Sequence, residues 1–417
     1  MKIAIVGAGI IGVTTAYELA ADGHEVTVFE RRGAAAEETS FANAGLVAPG
    51  YVTPWAAPGM PGKVLGYLLS RHAPVKLGMP LSGRELAWMW QWWRACKLET
   101  YAANRARMQR LAFYSRQRLH QITADLKLEY DRSDGYLVLL RSEKERELTR
   151  PGLQVLRDAG VNFREIGPDE ARKVEPALNP DTAFAGAIHL SDDEVGNCRQ
   201  FALLLKDEAR HLGARFEFNT TVASLAQTPS PALKIAGETA PRAFDAIVLC
   251  AGLDSASLLR PLGLKVPMIA VHGYSVSAQV REPLNAPRSA VMDERYKVAI
   301  SRLGQRVRVA GSAELGGSAT ALRASSLQTL YKVLHDWFPG AAHLSSGVQE
   351  WKGARPMLPD GPPVLGASGL PGVWLNLGHG SSGWALSCGS ARVLADLMAG
   401  RAADVDLEGL GVERLRH

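Results

Sequence analysis

The chain has 417 residues, of which 47% are hydrophobic and 21% are charged. This length predicts two or three domains of roughly 150 residues each, and the composition excludes disordered, collagen-like and coiled-coil proteins. The net charge of +5, from 47 Lys and Arg against 42 Asp and Glu, is too small to indicate a nucleic-acid-binding protein, so we expect no nucleic acid partner.

The cysteines show no pattern of bridging or metal binding. Four are present, and no CxxC or zinc-like Cys/His spacing occurs among them. We therefore expect no disulfide framework and no metal site, which fits a reducing, cytoplasmic compartment. They are Cys96, Cys198, Cys250 and Cys388.

The apolar N-terminal segment resembles a signal peptide at first sight. Three glycines at fixed spacing, Glu18 on the apolar face and a second strand pattern in place of a cleavage site oppose that interpretation. No later stretch reaches the ~18 apolar residues of a spanning helix. We expect a soluble protein, or one attached only to a membrane surface.

Residues 2–30 predict a strand, a glycine turn, a helix and a second strand. The first strand is a continuous apolar run, as a buried parallel strand requires. Residues 38–63 then show little periodicity and many Gly, Pro and small residues, which is typical of a binding loop.

The later elements alternate between the two kinds of structure. Helical patterns cover about 82–118, 143–171 (around a short strand at 161–166) and 198–212, and strand patterns cover 135–142, 215–225 and 244–252. Period-two runs between 266 and 313 predict antiparallel strands, and 373–378 predicts a strand before a final helix at 383–400.

This order predicts an α/β protein with a Rossmann-like dinucleotide domain that is discontinuous in sequence. The second domain is predicted to be α+β, built on a mixed or antiparallel sheet. We assign 1–80, 190–262 and 345–417 to the first domain, and 81–189 and 263–344 to the second.

The glycine turn after the first strand matches a dinucleotide fingerprint. Gly7 permits the tight turn, Gly9 lets a pyrophosphate approach the backbone, and Gly12 lets the helix pack closely on the strand. Glu30 ends the second strand, where a carboxylate accepts from a ribose hydroxyl and disfavours the 2′-phosphate of NADP. The alternative is a purely structural glycine turn.

A second glycine-rich loop precedes the last helix. Gly378, His379, Gly380 and Gly383 place backbone amides where they would face an anion or a carbonyl oxygen. A reduced flavin carries such charge and a nicotinamide ring does not, so the two loops together favour FAD. Taken alone, the second loop also fits a simple helix cap.

Five segments together resemble the D-amino acid dehydrogenase group of the glycine oxidase and D-amino acid oxidase superfamily. The resemblance extends over nearly the whole chain, and it implies an FAD domain, a substrate domain and oxidation of an amino acid at its α carbon. The segments are 38–59, 273–276, 293–304, 351–366 and 376–384.

The fingerprint and this resemblance give one set of expected FAD-binding residues, without covalent attachment. The set is Gly7, Gly9, Ile10, Ile11, Gly12, Glu30, Arg31, Ser40, Asn43, Ala44, Gly45, Val222, Ala251, Gly252, Gly353, Gly378, His379, Gly380 and Gly383.

The resemblance also implies the substrate site. Arg355 matches the arginine that holds the substrate carboxylate, and a planar guanidinium suits that role because it binds a carboxylate through two hydrogen bonds. Tyr274 and Tyr296 match less closely a tyrosine near the carboxylate, and each also fits a core tyrosine. His272 and Lys297 are weaker candidates, and no Ser/His/Asp arrangement is present.

Residues 88–118 combine clustered tryptophans with arginines. A membrane-surface or quinone-delivery role and a helical pair packed on the substrate domain both fit, and we favour packing because such residues also fill large cores. The residues are Trp88, Trp90, Trp92, Trp93, Arg105, Arg107, Arg110, Arg116 and Arg118.

The resemblance, together with the fingerprint, implies an FAD-dependent D-amino acid dehydrogenase that yields a 2-oxo acid and ammonia, with a quinone or another carrier as electron acceptor. The alternatives are an oxygen-reducing oxidase, a dehydrogenase for a cyclic amino acid such as D-hydroxyproline, and a non-enzymatic FAD-binding electron-transfer subunit. The sequence does not indicate the preferred side chain or the oligomeric state.

Overall fold

The structure is a computed structural model that describes residues 1–67, 70, 72–226 and 230–415. Its helices are α1 Ile10–Ala21, α2 Met60–Tyr67, α3 Gly83–Ala95, α4 Leu98–Leu126, α5 Glu143–Asp158, α6 Pro168–Val174, α7 Cys198–His211, α8 Asp254–Leu259, α9 Ala324–Trp337 and α10 Gly383–Met398. Its strands are β1 Lys2–Val6, β2 Glu25–Phe29, β3 Leu46–Val47, β4 Val75–Gly78, β5 Ser133–Leu140, β6 Arg164–Ile166, β7 Gly186–Val195, β8 Arg215–Glu217, β9 Val222–Ala226, β10 Ala232–Ile235, β11 Arg242–Ala243, β12 Ala246–Leu249, β13 Ile269–Gln279, β14 Ala290–Asp293, β15 Val298–Leu303, β16 Arg306–Gly316, β17 Gln349–Met357, β18 Val364–Ala367 and β19 Val373–Leu377.

The first sheet has the order β18-β19-β12-β1-β2-β8, and its strands are parallel except for β18. Its central strands are buried apolar runs, as the sequence predicts for strands covered on both faces. Helices α1, α7 and α10 share one apolar core with this sheet. The Rossmann-like sheet is therefore confirmed.

The second sheet is larger and mixed, with the order β17-β13-β16-β15-β14-β5-β7-β3. Strand β4 pairs with β16 and β6 pairs with β7. The long pairs of β13 with β16 and β17 are antiparallel, whereas β14 runs parallel to β5. Helix α9 covers one face and shares an apolar core with it.

Sheet membership differs from the expected domain ranges at four segments. Strands β3, β4 and β17 and residues 190–195 of β7 pair in the larger sheet, although 1–80, 190–262 and 345–417 were assigned to the dinucleotide domain. The strand pattern at 215–225 also divides, because β8 extends the first sheet and β9 pairs antiparallel with β10 in a separate three-stranded sheet. We propose a domain division at the sheets, with β3, β4, β7 and β17 in the second domain.

Helix α4 joins the two parts of the molecule through ion pairs. Glu18 of α1 is fully buried and accepts from Arg118 of α4 at 2.6 Å and from Arg392 of α10 at 2.8 Å. Carboxylates also pair with Arg107, Arg110 and Arg116. Most arginines of the Trp/Arg-rich stretch therefore have carboxylate partners. Helix α4 packs against α10 of the first domain, so the expected packing of this helix on the substrate domain is wrong, whereas α3 packs on β13 and β17 of the larger sheet.

Among the described residues, every helix is too short or too polar to cross a lipid bilayer.

Candidate active site

A cavity of about 790 Å³ lies between the carboxyl ends of the first sheet's parallel strands and the face of the larger sheet. Val6, Phe29 and Leu377, which end β1, β2 and β19, line one part of it. Residues of β13, β15, β16 and β17 line the other part. Ligands of open α/β sheets bind at this edge, and the volume lies in the range of about 300–1,000 Å³ typical of ligand pockets.

The turn between β1 and α1 closes one end of the cavity. Gly7 has φ of +101°, and a Cβ there would lie 2.7 Å from the Cys250 carbonyl oxygen. A Cβ on Gly12 would lie 1.9 Å from the Gly7 oxygen, so Gly12 packs the helix and does not line the cavity. Gly9, by contrast, has open space, since the nearest atom to a Cβ there would be the Ser40 hydroxyl at 3.5 Å.

The acidic end of β2 contacts this turn. The Glu30 carboxylate accepts from the amides of Ala8 and Arg32, each at 2.8 Å, and Glu30 lines the cavity. Arg31 also lines it, but its guanidinium pairs with Glu38 and Asp254. Among the residues that the structure describes, the one arginine of the lining at this end is therefore paired with carboxylates.

The loop after β2 follows the cavity and then leaves it. Ser40, Asn43 and Ala44 line the wall, and the Ser40 hydroxyl accepts from the Ile10 amide at 3.0 Å. Gly45 lies behind the wall, where its carbonyl accepts from the Trp384 indole at 3.1 Å. Its φ of +79° and a Cβ position 2.8 Å from the Gly196 oxygen require glycine for packing.

The remaining expected FAD-binding residues converge on the same cavity from distant parts of the chain. They are Ile10, Ile11, Val222, Ala251, Gly252, Gly353, Gly378, His379, Gly380 and Gly383, and all of them line it.

The loop before α10 faces the cavity with backbone groups and not with charged side chains. Gly383 begins this 16-residue helix, so the positive end of the helix dipole faces the cavity. His379 is buried, its Nε2 lies 3.0 Å from the Ser390 hydroxyl, and burial lowers its pKa to about 3. The ring is therefore neutral near pH 7.

Arg355 lies on β17 in the cavity wall with no carboxylate partner in the part of the chain that is described. Its Nη1 donates to the Ser312 carbonyl at 3.0 Å, and its guanidinium lies 5.7 Å from the centre of the Trp55 ring. Burial lowers its pKa to about 10, which leaves it charged at neutral pH. By contrast, the other cations of the described lining, Arg31 and Lys297, are paired with carboxylates.

The two tyrosines differ in position. Tyr274 lines the cavity, but its hydroxyl donates to the buried Glu314 carboxylate, and burial raises its pKa. Tyr296 lies outside the lining and packs against His72 and Arg141. The expected hydroxyl near a carboxylate is therefore not supplied by Tyr296, because the turn after β14 directs its ring to the other side of the sheet.

The two weaker candidates, Lys297 and His272, also differ in position. Lys297 lines the cavity and donates to Glu294, whereas His272 is buried outside it with Nδ1 unpaired.

Sequence reasoning missed Trp351 and Gly273, which line the cavity beside Arg355. Strand β13 pairs antiparallel with β17, and Gly273 lies directly opposite Gly353. A glycine inside a strong strand pattern was the available signal, because it often marks a close approach of another group.

The βαβ turn, the acidic residue after β2 and the second glycine loop define a dinucleotide-binding oxidoreductase with room for a flavin. The family model "FAD dependent oxidoreductase" matches residues 2–397. The chain belongs to this family, and its cofactor is FAD.

Known relatives extend over nearly the full chain. A protein of Bradyrhizobium diazoefficiens named D-amino acid dehydrogenase is 42% identical over 100% of this chain and 99% of its own. One of Cereibacter sphaeroides with the same name is 43% identical over 99% and 95%. Glycine oxidase from Geobacillus kaustophilus has a TM-score of 0.79 at 22% identity over 100% and 98%, which shows the shared fold.

The different surroundings of Gly9 and Gly12 predict different effects of substitution on FAD binding and on stability. Gly9→Val should leave the stability of the FAD-free protein nearly unchanged, because the protein itself leaves room for a side chain, but should abolish FAD binding. Gly12→Val should destabilise the FAD-free protein as well. Flavin absorbance per chain and thermal unfolding after flavin removal measure the two effects. Full FAD content in the Gly9 variant would contradict this placement.

Proposed function

We propose that the protein oxidises a D-amino acid at its α carbon to an imino acid, which water hydrolyses to a 2-oxo acid and ammonia. The observation that carries the proposal is Arg355 in the cavity wall, whose guanidinium donates to a backbone carbonyl and has no carboxylate partner among the described residues. A cation held in a buried site without a counter-charge indicates an anionic ligand. The carboxylate common to all amino acids fits it.

The relatives favour the D configuration. Those named D-amino acid dehydrogenase are 42–43% identical to this chain over almost its whole length. The solved structures with this fold include enzymes named for glycine, L-proline and other substrates, at 22% identity or less, so they do not choose between substrates.

The residues would act mainly by holding and orienting. The β1–α1 turn, Glu30 and the Ser40–Ala44 segment would hold the nucleotide part of FAD, and the loop before α10 would hold the flavin end. FAD, when bound, supplies the electron sink for a hydride from the α carbon. Arg355 would fix the substrate carboxylate and so orient the α C–H bond.

In our proposal the substrate ammonium group loses one proton to solvent water before this step, so no protein side chain acts as the base. Hydride transfer requires a neutral amine, and the cavity offers no uncompensated carboxylate beside Arg355 in the described chain that would hold the amine in its charged form. The electron pair leaves with the hydrogen of the α carbon, and the amine nitrogen then forms the C=N bond.

Arg355→Met should lower kcat/KM for a D-amino acid, chiefly by raising KM, because the substrate carboxylate loses its charged partner. The loss in kcat/KM should correspond to about 2–5 kcal/mol of transition-state stabilisation. FAD content should be retained. Arg157→Ala, at a half-exposed arginine of α5, is the control and should behave as the wild type. Steady-state kinetics on a panel of D- and L-amino acids measures the effect; unchanged kinetics would remove Arg355 from the substrate site.

We further propose that electrons leave the reduced enzyme for a quinone or another carrier instead of oxygen. The support is the name of the relatives, dehydrogenase, at 42–43% identity. An oxygen-reducing oxidase and a dehydrogenase for a cyclic amino acid remain the rival enzyme functions.

With a D-amino acid as donor, turnover with a quinone or dye acceptor should exceed turnover with oxygen by about tenfold or more, since a protein selects the acceptor by the paths it leaves open to the flavin. Dye reduction under nitrogen and hydrogen peroxide formation in air measure the two rates. Equal rates would assign the protein as an oxidase.

A membrane surface is the second contact that we propose. Leu86, Trp90 and Trp93 recur at helical spacing on the outer face of α3 and are each more than half exposed. On the inner face, the Trp88 indole donates to the Met357 carbonyl at 3.0 Å, so α3 packs on the strand that carries Arg355. Exposed aromatic side chains suit a bilayer interface.

The charges beside this face favour an anionic surface. Arg84, Arg94 and Lys97 are exposed, and no carboxylate pairs with them within the described ranges. The arginines of α4 contribute less than the sequence suggests, since most of them pair with carboxylates.

Binding to vesicles that contain phosphatidylglycerol should therefore be measurable by co-sedimentation and should weaken with salt. The double variant Trp90→Ala, Trp93→Ala should weaken it by about tenfold, because both rings are exposed on one face. Leu284→Ala, at an isolated exposed leucine, is the control. Wild-type protein that stays in the supernatant at low salt would contradict this contact.

A further inference from the structure

Two strands of the larger sheet carry a pair of facing glycines beneath the cavity. Gly273 of β13 lies directly opposite Gly353 of β17, and both line the cavity. The φ of Gly273 is outside the left-handed region, so its backbone does not require glycine. A glycine is therefore required at position 273, if at all, by the atoms that lie where a side chain would be.

That space is filled by Arg355. A Cβ on Gly273 would lie 2.3, 2.5 and 2.7 Å from Nη2, Cζ and Nη1 of the Arg355 guanidinium. These are the three nearest atoms, and all belong to one planar group at the end of a flexible side chain. The guanidinium therefore lies directly against the backbone of Gly273.

A bulge in the neighbouring strand supplies the second contact. The pairing of β13 with β16 shifts register between His272 and Tyr274, and Ser312 of β16 has φ of +59°. The Ser312 carbonyl accepts from Nη1 of Arg355 at 3.0 Å. Bulges redirect groups in this way near active sites.

Trp55 lies over the guanidinium, with its ring centre 5.7 Å away. The group is thus fixed by a backbone surface, one carbonyl and one aromatic ring, without a carboxylate partner in the described chain. Such fixing limits the rotamer freedom that a ligand must otherwise remove on binding.

We propose that Gly273 is a positioning residue whose missing side chain allows the Arg355 guanidinium to lie flat in the orientation that receives the substrate carboxylate. This inference rests on the proposed function, since it requires Arg355 to bind a carboxylate. It adds a residue whose role is exerted through the position of the Arg355 guanidinium.

The test is a double-mutant cycle on the FAD-loaded protein with propionate, a carboxylate that has no amine to oxidise. Gly273→Ala should keep its FAD and its fold, because only the flexible end of Arg355 must move, and should weaken propionate binding by about tenfold. Arg355→Lys should weaken it by at least as much. The double variant should lie within about twofold of Arg355→Lys, because the two effects share one cause.

Gly353→Ala is the matched variant in the same sheet. Its Cβ would meet the Trp351 ring, at 1.7 Å for the nearest atom, instead of the guanidinium. Its effect should therefore add to that of Arg355→Lys, whereas that of Gly273→Ala should not. Calorimetric dissociation constants, flavin absorbance and thermal unfolding are the measurements.

The outcomes distinguish a failure of the proposed carboxylate site from a failure of the positioning role of Gly273. If Arg355→Lys binds propionate as tightly as the wild type, the proposed carboxylate site is wrong. If Arg355→Lys weakens binding but Gly273→Ala does not, or if the two effects add, the positioning role of Gly273 is overturned and the proposed function stands. Loss of FAD or of the fold in Gly273→Ala would also overturn it.

Discussion

Strand β1 and helix α1 approach so closely that a methyl group on Gly12 would lie 1.9 Å from the Gly7 carbonyl oxygen. This contact sets the start of α1 at the edge of the sheet, where Ile10 and Ile11 of its first turn line the cavity. The Ile10 amide, the Glu30 carboxylate and the Ser40 hydroxyl are then brought together around one turn. The nucleotide end of the site depends on that spacing more than on any single polar side chain.

Charge is distributed differently at the two ends of the cavity. Arg31 at the nucleotide end is paired with carboxylates, and so is Arg118 in the helix layer behind it. At the opposite end, which we propose receives the substrate, Arg355 contacts a carbonyl and an aromatic ring and has no carboxylate partner among the described residues. Paired arginines fasten elements together, whereas an arginine held without a counter-charge is available to a ligand. The same residue type therefore serves structure and recognition according to its neighbours.

The sequence predicted the structure best where the local backbone geometry or burial requires a particular residue type. The β1–α1 turn and the apolar parallel strands follow from spacing and burial, so the dinucleotide half was predictable. Pairing between distant strands left no local signal, which is why the sequence predicted β8 and β9 as one strand. The sequence also could not show that Tyr296 packs against His72 and lies outside the cavity lining. Gly273 could not be interpreted because its partner, Arg355, is fixed only by the register of β13 with β17.

The first sheet also constrains how the chain folds. The Asn376 side-chain amide of β19 donates to the Thr15 hydroxyl of α1 at 3.0 Å, across 361 residues of sequence. Strand β12, from the middle of the chain, separates β1 from β19. Contacts of such sequence separation close late and slowly. During synthesis on a ribosome, the apolar surfaces of β1 and α1 would therefore stay exposed until residues near 376 emerge. We expect chaperone binding to the nascent chain to be strongest in this period.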